Sequence, residues 1–162
     1  MKRMHMHLSV RDLERSIAFY AHLFGAAPNV RKDDYAKWML DDPRVNFAIS
    51  VHEGAKTGIE HVGLQVETEA ELSEVYGRIQ EAGQPFLEEG KTTCCYAKSE
   101  KGWVADPDGV LWEAFLTTGE ATVYGDRTQA AKAAEACCDT ATPQGVCCPP
   151  KSDRAPQAPC CG

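Results

Sequence analysis

The sequence predicts an α+β protein in which two tandem modules, each with one strand, one helix and about three further strands (βαβββ), share a curved mixed sheet. A disordered, cysteine-rich C-terminal tail is predicted to follow. Three observations support this fold class. A short motif recurs 56 residues later in the chain, a segment of helical period follows each copy, and the composition changes sharply near the C-terminus. The motif reads His-Met-His-Leu-Ser-Val at residues 5–10 and His-Val-Gly-Leu-Gln-Val at residues 61–66.

Both motif copies end where a helix is predicted to begin. The first helix is predicted over residues 12–24, since it starts with an acidic residue and stops at Gly25, and the second over residues 69–82, before Gly83. Apolar residues recur at helical spacing in both segments. They are Leu13, Ile17, Tyr20 and Phe24 in the first segment and Leu72, Val75, Tyr76 and Ile79 in the second.

Short apolar or alternating runs follow each helix and predict strands. They cover 28–32, 35–40 and 45–51 in the first module, and 85–88, 95–98, 102–105 and 110–116 in the second. An Asp-Pro-Asp-Gly turn precedes the last run. The two modules, residues 1–55 and 59–118, are expected to bury together an apolar surface that neither could bury alone. A functional site is expected on the concave face of their sheet.

The C-terminal segment, residues 119–162, is predicted to be a flexible tail. From residue 126 onward it contains no Leu, Ile, Met, Phe, Tyr or Trp, so it cannot bury enough apolar surface to offset the entropy of ordering. Its cysteines fall in adjacent pairs and are candidates for accessory metalloid binding. They are Cys137, Cys138, Cys147, Cys148, Cys160 and Cys161.

The charge balance excludes some partners. The chain has 17 Lys and Arg against 24 Asp and Glu, a net charge of −7, so no nucleic-acid partner is expected. No apolar run of about 18 residues and no signal-peptide pattern occur, which predicts a cytoplasmic protein without a membrane partner. In a reducing cytosol, eight cysteines in adjacent pairs favour soft-ion chemistry over disulfides.

Two histidines and one glutamate predict a metal centre. His5 and His61 hold matching positions in the repeat, so their side chains are expected to face each other across the module interface. Glu113 is a lone acid in an otherwise apolar strand and needs a partner. Two histidines with one carboxylate are the ligand pattern of non-heme Fe(II) oxygen enzymes. The position that matches Glu113 in the first module is Ala48, which leaves coordination sites open for catalysis.

Alternatives to this centre stay open at the level of the sequence. His7 shares a face of the first strand with His5 and competes with it, although its counterpart in the repeat is Gly63. Each histidine could be a hydrogen-bonded structural residue, and Glu113 could point outward from an edge strand.

The adjacent thiols Cys94 and Cys95 predict a binding site for a trivalent organoarsenical. Arsenic that carries one carbon offers two places for sulfur, which matches two cysteines without a third. Neighbouring side chains in a regular strand point to opposite faces, so joint binding requires an irregular backbone at this pair. The alternative is a pair of small residues that only pack.

These motifs resemble the glyoxalase/bleomycin resistance/dioxygenase superfamily, whose members have the vicinal oxygen chelate fold, over nearly all of residues 1–118. The run Thr-Thr-Cys-Cys-Tyr-Ala at residues 92–97 is similar to the ArsI/CadI group of heavy-metal resistance metalloenzymes. This resemblance implies an Fe(II)-dependent and O2-dependent carbon–arsenic lyase that releases arsenite from methylarsonite and trivalent aromatic arsenicals. It implies that His5, His61 and Glu113 bind the iron and that Cys94 and Cys95 hold the arsenic.

Other functions remain open. The thiol pairs would also suit a protein that only sequesters cadmium or arsenic. A glyoxalase or a thiol transferase on the same fold is a further option, but neither explains the adjacent cysteines. A homodimer is a further expectation, because modules of this fold class pair within a chain or between chains.

Overall fold

Both βαβββ modules are present in the order that the repeat predicts. The computed structural model describes residues 1–125. The elements of these residues are β1 (Arg3–Ser9), α1 (Leu13–Phe24), β2 (Val30–Arg31), β3 (Tyr35–Asp41), β4 (Arg44–Ser50), β5 (Gly58–Val66), α2 (Glu69–Glu81), β6 (Phe86–Cys94), β7 (Ala97–Ala105) and β8 (Leu111–Glu120). The predicted fold class is therefore confirmed.

The eight strands form one curled mixed sheet in the order β2-β3-β4-β1-β5-β8-β7-β6. The first strands of the two modules, β1 and β5, are antiparallel neighbours at its centre. Each also pairs in parallel with the last strand of its own module, β1 with β4 and β5 with β8. The two modules of a single chain thus meet along the strands that carry the motif histidines.

Each helix covers the sheet face opposite the motif histidines, because side chains alternate along a strand. The stripe of α1 packs on Trp38, Phe47 and Ile49, and that of α2 packs on Val66 and Ala114. Side-chain caps fix both helix starts: Asp12 accepts a hydrogen bond from the Arg15 amide, and Thr68 accepts one from the Glu71 amide. The first helix ends at Gly25, whose φ of 64° suits a glycine.

The second module differs from its predicted strand pattern. Residues 97–98 of the run predicted at 95–98 form one strand, β7, with the run predicted at 102–105, and the run predicted at 85–88 extends to Cys94 as β6. Residues 95 and 96 lie on the turn between the two strands. The residues that join the two runs include the polar Ser99 and Lys101, which are buried. Their polarity broke the apolar pattern because they face a polar cleft and not the helix-covered core.

The described chain also continues beyond Thr118, where the folded part was predicted to end. Strand β8 runs to Glu120, and Gly125 forms a bridge with Cys94. The cysteine pairs of the predicted tail, from Cys137 to Cys161, lie outside the described residues. Within residues 1–125, no helix is long and apolar enough to cross a bilayer.

Candidate metal and thiol site

The structure brings His5, His61 and Glu113 together at the centre of the sheet. The Nε2 atoms of His5 and His61 lie 3.2 Å apart, and the Oε2 atom of Glu113 lies 3.7 Å from each of them. All three side chains are buried, with Glu113 only 5% exposed. The alternative in which Glu113 points into solvent is thereby excluded.

The convergence depends on a close approach between β5 and β8. Gly63 on β5 is the register partner of Glu113 on β8. A Cβ atom at Gly63 would overlap the main-chain carbonyl oxygen of Glu113, so only glycine allows this spacing. This contact explains why the second copy of the motif has glycine where the first has His7.

The spacing of the two histidine nitrogens fits a metal ion. Nitrogen ligands about 2.1 Å from a metal lie roughly 3.0 Å apart at a right angle and roughly 3.4 Å apart in a tetrahedron, which brackets the distance between the two histidines. The Nδ1 atom of His5 lies 3.0 Å from the carbonyl oxygen of Asn46, which can only accept, so Nδ1 carries the proton and Nε2 keeps its lone pair. Burial lowers the pKa of His5 although Glu113 opposes this effect. The ring is therefore neutral, as a ligand must be.

Ala48 occupies the position that pseudosymmetry makes equivalent to Glu113. It pairs with His7 on β1, just as Glu113 pairs with Gly63 on β5. Its methyl group cannot bind a metal. A centre built from His5, His61 and Glu113 therefore has open coordination positions, as the sequence predicted.

Lys101 is a site residue that the sequence analysis missed. It is 4% exposed, and its Nζ atom donates a hydrogen bond of 2.6 Å to Oε1 of Glu113. Burial lowers the pKa of Lys101. The charges of Glu113 and Cys94 outweigh burial and raise this pKa overall, so the amine is charged. The alternation of Ser99, Lys101 and Trp103 along one strand face is the signal that would have indicated its position.

The thiol pair lies on a tight turn between β6 and β7. Cys95 and Tyr96 connect the strands with φ values of 56° and 61°, the left-handed conformation that both central residues of a type I′ hairpin adopt. The predicted irregular backbone is therefore confirmed. It brings the two sulfur atoms to within 3.0 Å of each other.

This turn is strained, because a left-handed residue other than glycine costs roughly 1–2 kcal/mol. Hydrogen bonds to neighbouring segments stabilise it. The hydroxyl of Tyr96 donates to Asp34 at 2.6 Å. This bond, with burial, raises the pKa of Tyr96 to about 12. The amide of Cys95 donates to the carbonyl oxygen of Tyr124 at 2.5 Å. Residues beyond the predicted end of the fold thus support the thiol pair.

The thiols share one cleft with His5 and Glu113, two of the predicted metal ligands. The cleft is partly open to solvent, and its lining includes His5, Glu113, Lys101, Cys94 and Cys95. The pair therefore lies on the same wall of the sheet as the carboxylate and does not pack away from it.

The two thiols differ in acidity. A hydrogen bond from Cys95 lowers the pKa of Cys94 against the effect of burial, and the charge of Lys101 lowers it further. The same hydrogen bond and burial raise the pKa of Cys95. Cys94 is thus the thiol that ionises first.

Comparisons with known proteins agree with this geometry. The sequence pattern of the Glyoxalase/Bleomycin resistance protein/Dioxygenase superfamily matches residues 2–114. The chain is 44% identical over 121 residues to the trivalent organoarsenical cleaving enzyme of Bacillus sp. (strain MD1), which covers 72% of this chain and 74% of that protein. It is 34% identical over 125 residues to the cadmium-induced protein CadI of Mycobacterium tuberculosis (strain ATCC 25618 / H37Rv), covering 77% and 82%.

The fold is also found among solved structures. An extradiol ring-cleaving dioxygenase from B. fuscum superposes with a TM-score of 0.55 at 18% identity, over 79% of this chain and 36% of that one. The match over residues 2–114 shows that the chain belongs to the Glyoxalase/Bleomycin resistance protein/Dioxygenase superfamily. Within it, the predicted resemblance to the ArsI/CadI group is confirmed by its similarity to an organoarsenical cleaving enzyme and to CadI.

Proposed function

We propose that this protein is an enzyme that cleaves the carbon–arsenic bond of trivalent organoarsenicals in the cytoplasm and releases arsenite, which would detoxify them. Methylarsonite and trivalent aromatic arsenicals are the proposed substrates, Fe(II) the proposed metal and O2 the proposed co-substrate. The observation that carries the proposal is the shared cleft, where two adjacent thiols lie together with His5 and Glu113, and where His5 contacts His61. The name of the Bacillus relative supports the same reaction.

The thiols would bind the arsenic before any chemistry at carbon. Ionised Cys94 attacks first, and Cys95 follows from 3.0 Å away. Two arsenic–sulfur bonds form, two arsenic–oxygen bonds break, and the two thiol protons leave with the two oxygens as water. The carbon substituent stays on the arsenic and is held in the cleft, which replaces a bimolecular encounter by an oriented one.

His5, His61 and Glu113 would hold the Fe(II). When bound, Fe(II) supplies the activation of O2 that oxidises the carbon attached to arsenic. The carbonyl of Asn46 fixes the ring of His5 with Nε2 toward the centre. Lys101 binds Oε1 of Glu113 and leaves Oε2 directed at both histidines.

Lys101 also provides positive charge beside the thiols. Its ammonium helps to lower the pKa of Cys94, so it favours the thiolate that arsenic requires. We therefore assign Lys101 a positioning role for the carboxylate and an electrostatic role for the thiols.

The cysteine pairs of the predicted tail are proposed to capture organoarsenical or to retain the arsenite formed. They are Cys137, Cys138, Cys147, Cys148, Cys160 and Cys161. Replacing all six with serine should lower the number of arsenic atoms bound per chain while turnover in excess substrate stays nearly unchanged. Loss of turnover in this variant would instead assign the tail to catalysis.

The test of the proposed reaction is arsenite release from methylarsonite by anaerobically prepared, Fe(II)-loaded protein, with and without air. We expect release only in air, and none from Cys94→Ala or Glu113→Ala. The double variant Cys137→Ala/Cys138→Ala removes another vicinal pair and serves as the matched control. No release in air would eliminate the lyase, and release without air would eliminate the dependence on O2.

A second function, sequestration of cadmium or arsenic by thiols, is favoured by the similarity to CadI and by the four cysteine pairs. Sequestration does not require two histidines and a carboxylate in the same cleft. Arsenic binding without arsenite release in the assay above would support it over the lyase.

A further inference from the structure

His7 is a buried histidine to which the proposed reaction gives no role. It lies on the cleft face of β1, two residues after His5, and is 1% exposed. Its ring centre is 4.9 Å from that of His61. One ring nitrogen from each of His5, His7 and His61 lies within 4.8 Å of the others. The third imidazole is thus close enough to belong to the same centre.

A chain of hydrogen bonds runs from His7 to the thiol turn. The Nε2 atom of His7 lies 2.8 Å from Oγ of the fully buried Ser50. The hydroxyl of Tyr124 is hydrogen-bonded to Ser50 and to Cys95. Burial and Cys95 raise the pKa of Tyr124, and Ser50 lowers it.

The contact with Ser50 engages Nε2 of His7 and leaves Nδ1 as the nitrogen that could bind a metal. In that arrangement Nε2–H donates to the hydroxyl oxygen of Ser50. A neutral imidazole has only one N–H, which leaves a lone pair on Nδ1. That Nδ1 atom is buried and has no hydrogen-bond partner among residues 1–125. Buried polar atoms without a partner are rare, so an ion or another donor is expected there.

The position next to His7 is also where the metal centre lacks a ligand. His7 pairs across the sheet with Ala48, whose methyl group stands where pseudosymmetry would place a second carboxylate. The side chain from β4 that contacts the His7 imidazole is instead that of Ser50, at the other ring nitrogen, Nε2. At this register position the first module therefore lacks the carboxylate of the second module and has the imidazole of His7 in place of Gly63.

We propose that His7 is a fourth protein ligand of the metal centre, through Nδ1, and that Ser50 and Tyr124 link this ligand to the arsenic-binding thiol Cys95. The proposal rests on the metal centre proposed above. An octahedral ion with four protein ligands still has two positions for O2 and substrate. The hydrogen bond from Nε2 to Ser50 is the contact that orients a ligating histidine.

The first test is nitrogen NMR of the full chain labelled only at its five histidines. In the metal-free protein, His7 should appear as the tautomer protonated at Nε2, with its signals assigned by their loss in His7→Gln. Zn(II) should then shift Nδ1 of His7 together with Nε2 of His5 and His61. Because only imidazoles are observed, metal bound at tail cysteines does not interfere.

The outcomes distinguish the fourth ligand, His7, from the metal centre itself. A shift at His5 and His61 with no shift at His7 would overturn the fourth ligand and leave the metal centre intact. No shift at any of the three would overturn the metal centre itself. A His7 ring protonated at Nδ1 in the metal-free protein would also overturn the proposal.

The second test measures affinity at the same histidine signals against a competing chelator. His7→Gln should bind Zn(II) at His5 and His61 at least about 10–100-fold more weakly, since even outer contacts of a ligand have effects of that size. Ser50→Ala should cause a smaller loss, because it removes only the acceptor that fixes the tautomer. His22→Gln, on the exposed outer side of α1, is the matched control and should be neutral. Unchanged affinity in His7→Gln would refute the proposal.

Discussion

Replacing Lys101 with methionine tests the buried ion pair of the cleft. The ammonium and the carboxylate of Glu113 are 2.6 Å apart, and their side chains are 6% and 5% exposed. Methionine keeps the length of the side chain but removes its charge, which leaves a buried carboxylate without its hydrogen-bonded cation. Removing one partner of a buried pair costs about 3–5 kcal/mol, so the free energy of unfolding of the metal-free protein should fall by that amount.

Urea unfolding in the presence of a chelator measures this loss. Lys98→Met changes an exposed lysine on the same strand and should alter the free energy of unfolding by less than about 0.5 kcal/mol. Lys101→Met/Glu113→Met removes both charges and should recover most of the stability. Added metal should reduce the loss in the single variant, because the ion replaces the missing cation. A loss in Lys101→Met no larger than that in Lys98→Met would refute the role of the pair.

Three further predictions follow from the site. Burial lowers the pKa of His5 and of His7 below about 6.5, so the unfolded chain binds more protons below that pH. The free energy of unfolding of the metal-free protein should therefore fall as pH drops below about 6.5, by up to about 1.4 kcal/mol per pH unit for each ring. Equal stability in urea at pH 7.5 and at pH 5.5 would contradict this. Alkylation followed by peptide mass spectrometry should modify Cys94 at lower pH than Cys95, and the reverse order would contradict the assigned acidities. Gly63→Ala should separate β5 from β8 and reduce metal affinity measured by chelator competition, and wild-type affinity would show that the close approach is dispensable.

The repeat made the centre of the sheet predictable. His5 and His61 occupy equivalent motif positions, and strand alternation directs both to one face, so the convergence of the two histidines follows from the repeat. The irregular backbone next to Cys94 was also predictable from strand geometry. Adjacent side chains in a regular strand point to opposite faces, so Cys94 and Cys95 can bind one ligand together only where the strand is irregular.

The remaining features depend on tertiary contacts that no local pattern records. Lys101 stands among polar sequence neighbours, and only its pairing with Glu113 explains why a lysine is buried in β7. Tyr124 lies beyond the last apolar strand, in the segment predicted to be a tail, yet it contacts both Ser50 and Cys95. The repeated motif at residues 5–10 and 61–66 includes neither position, so it gave no indication of either.

The coupling between thiols and metal can be measured directly in a full-length variant whose six tail cysteines are replaced with serine. Co(II) in this variant should give a visible absorption spectrum that changes when one equivalent of a trivalent phenylarsenical binds. The change should disappear in Cys95→Ser. One equivalent of arsenic bound at Cys94 and Cys95 without any change in the Co(II) spectrum would contradict a common reaction cleft.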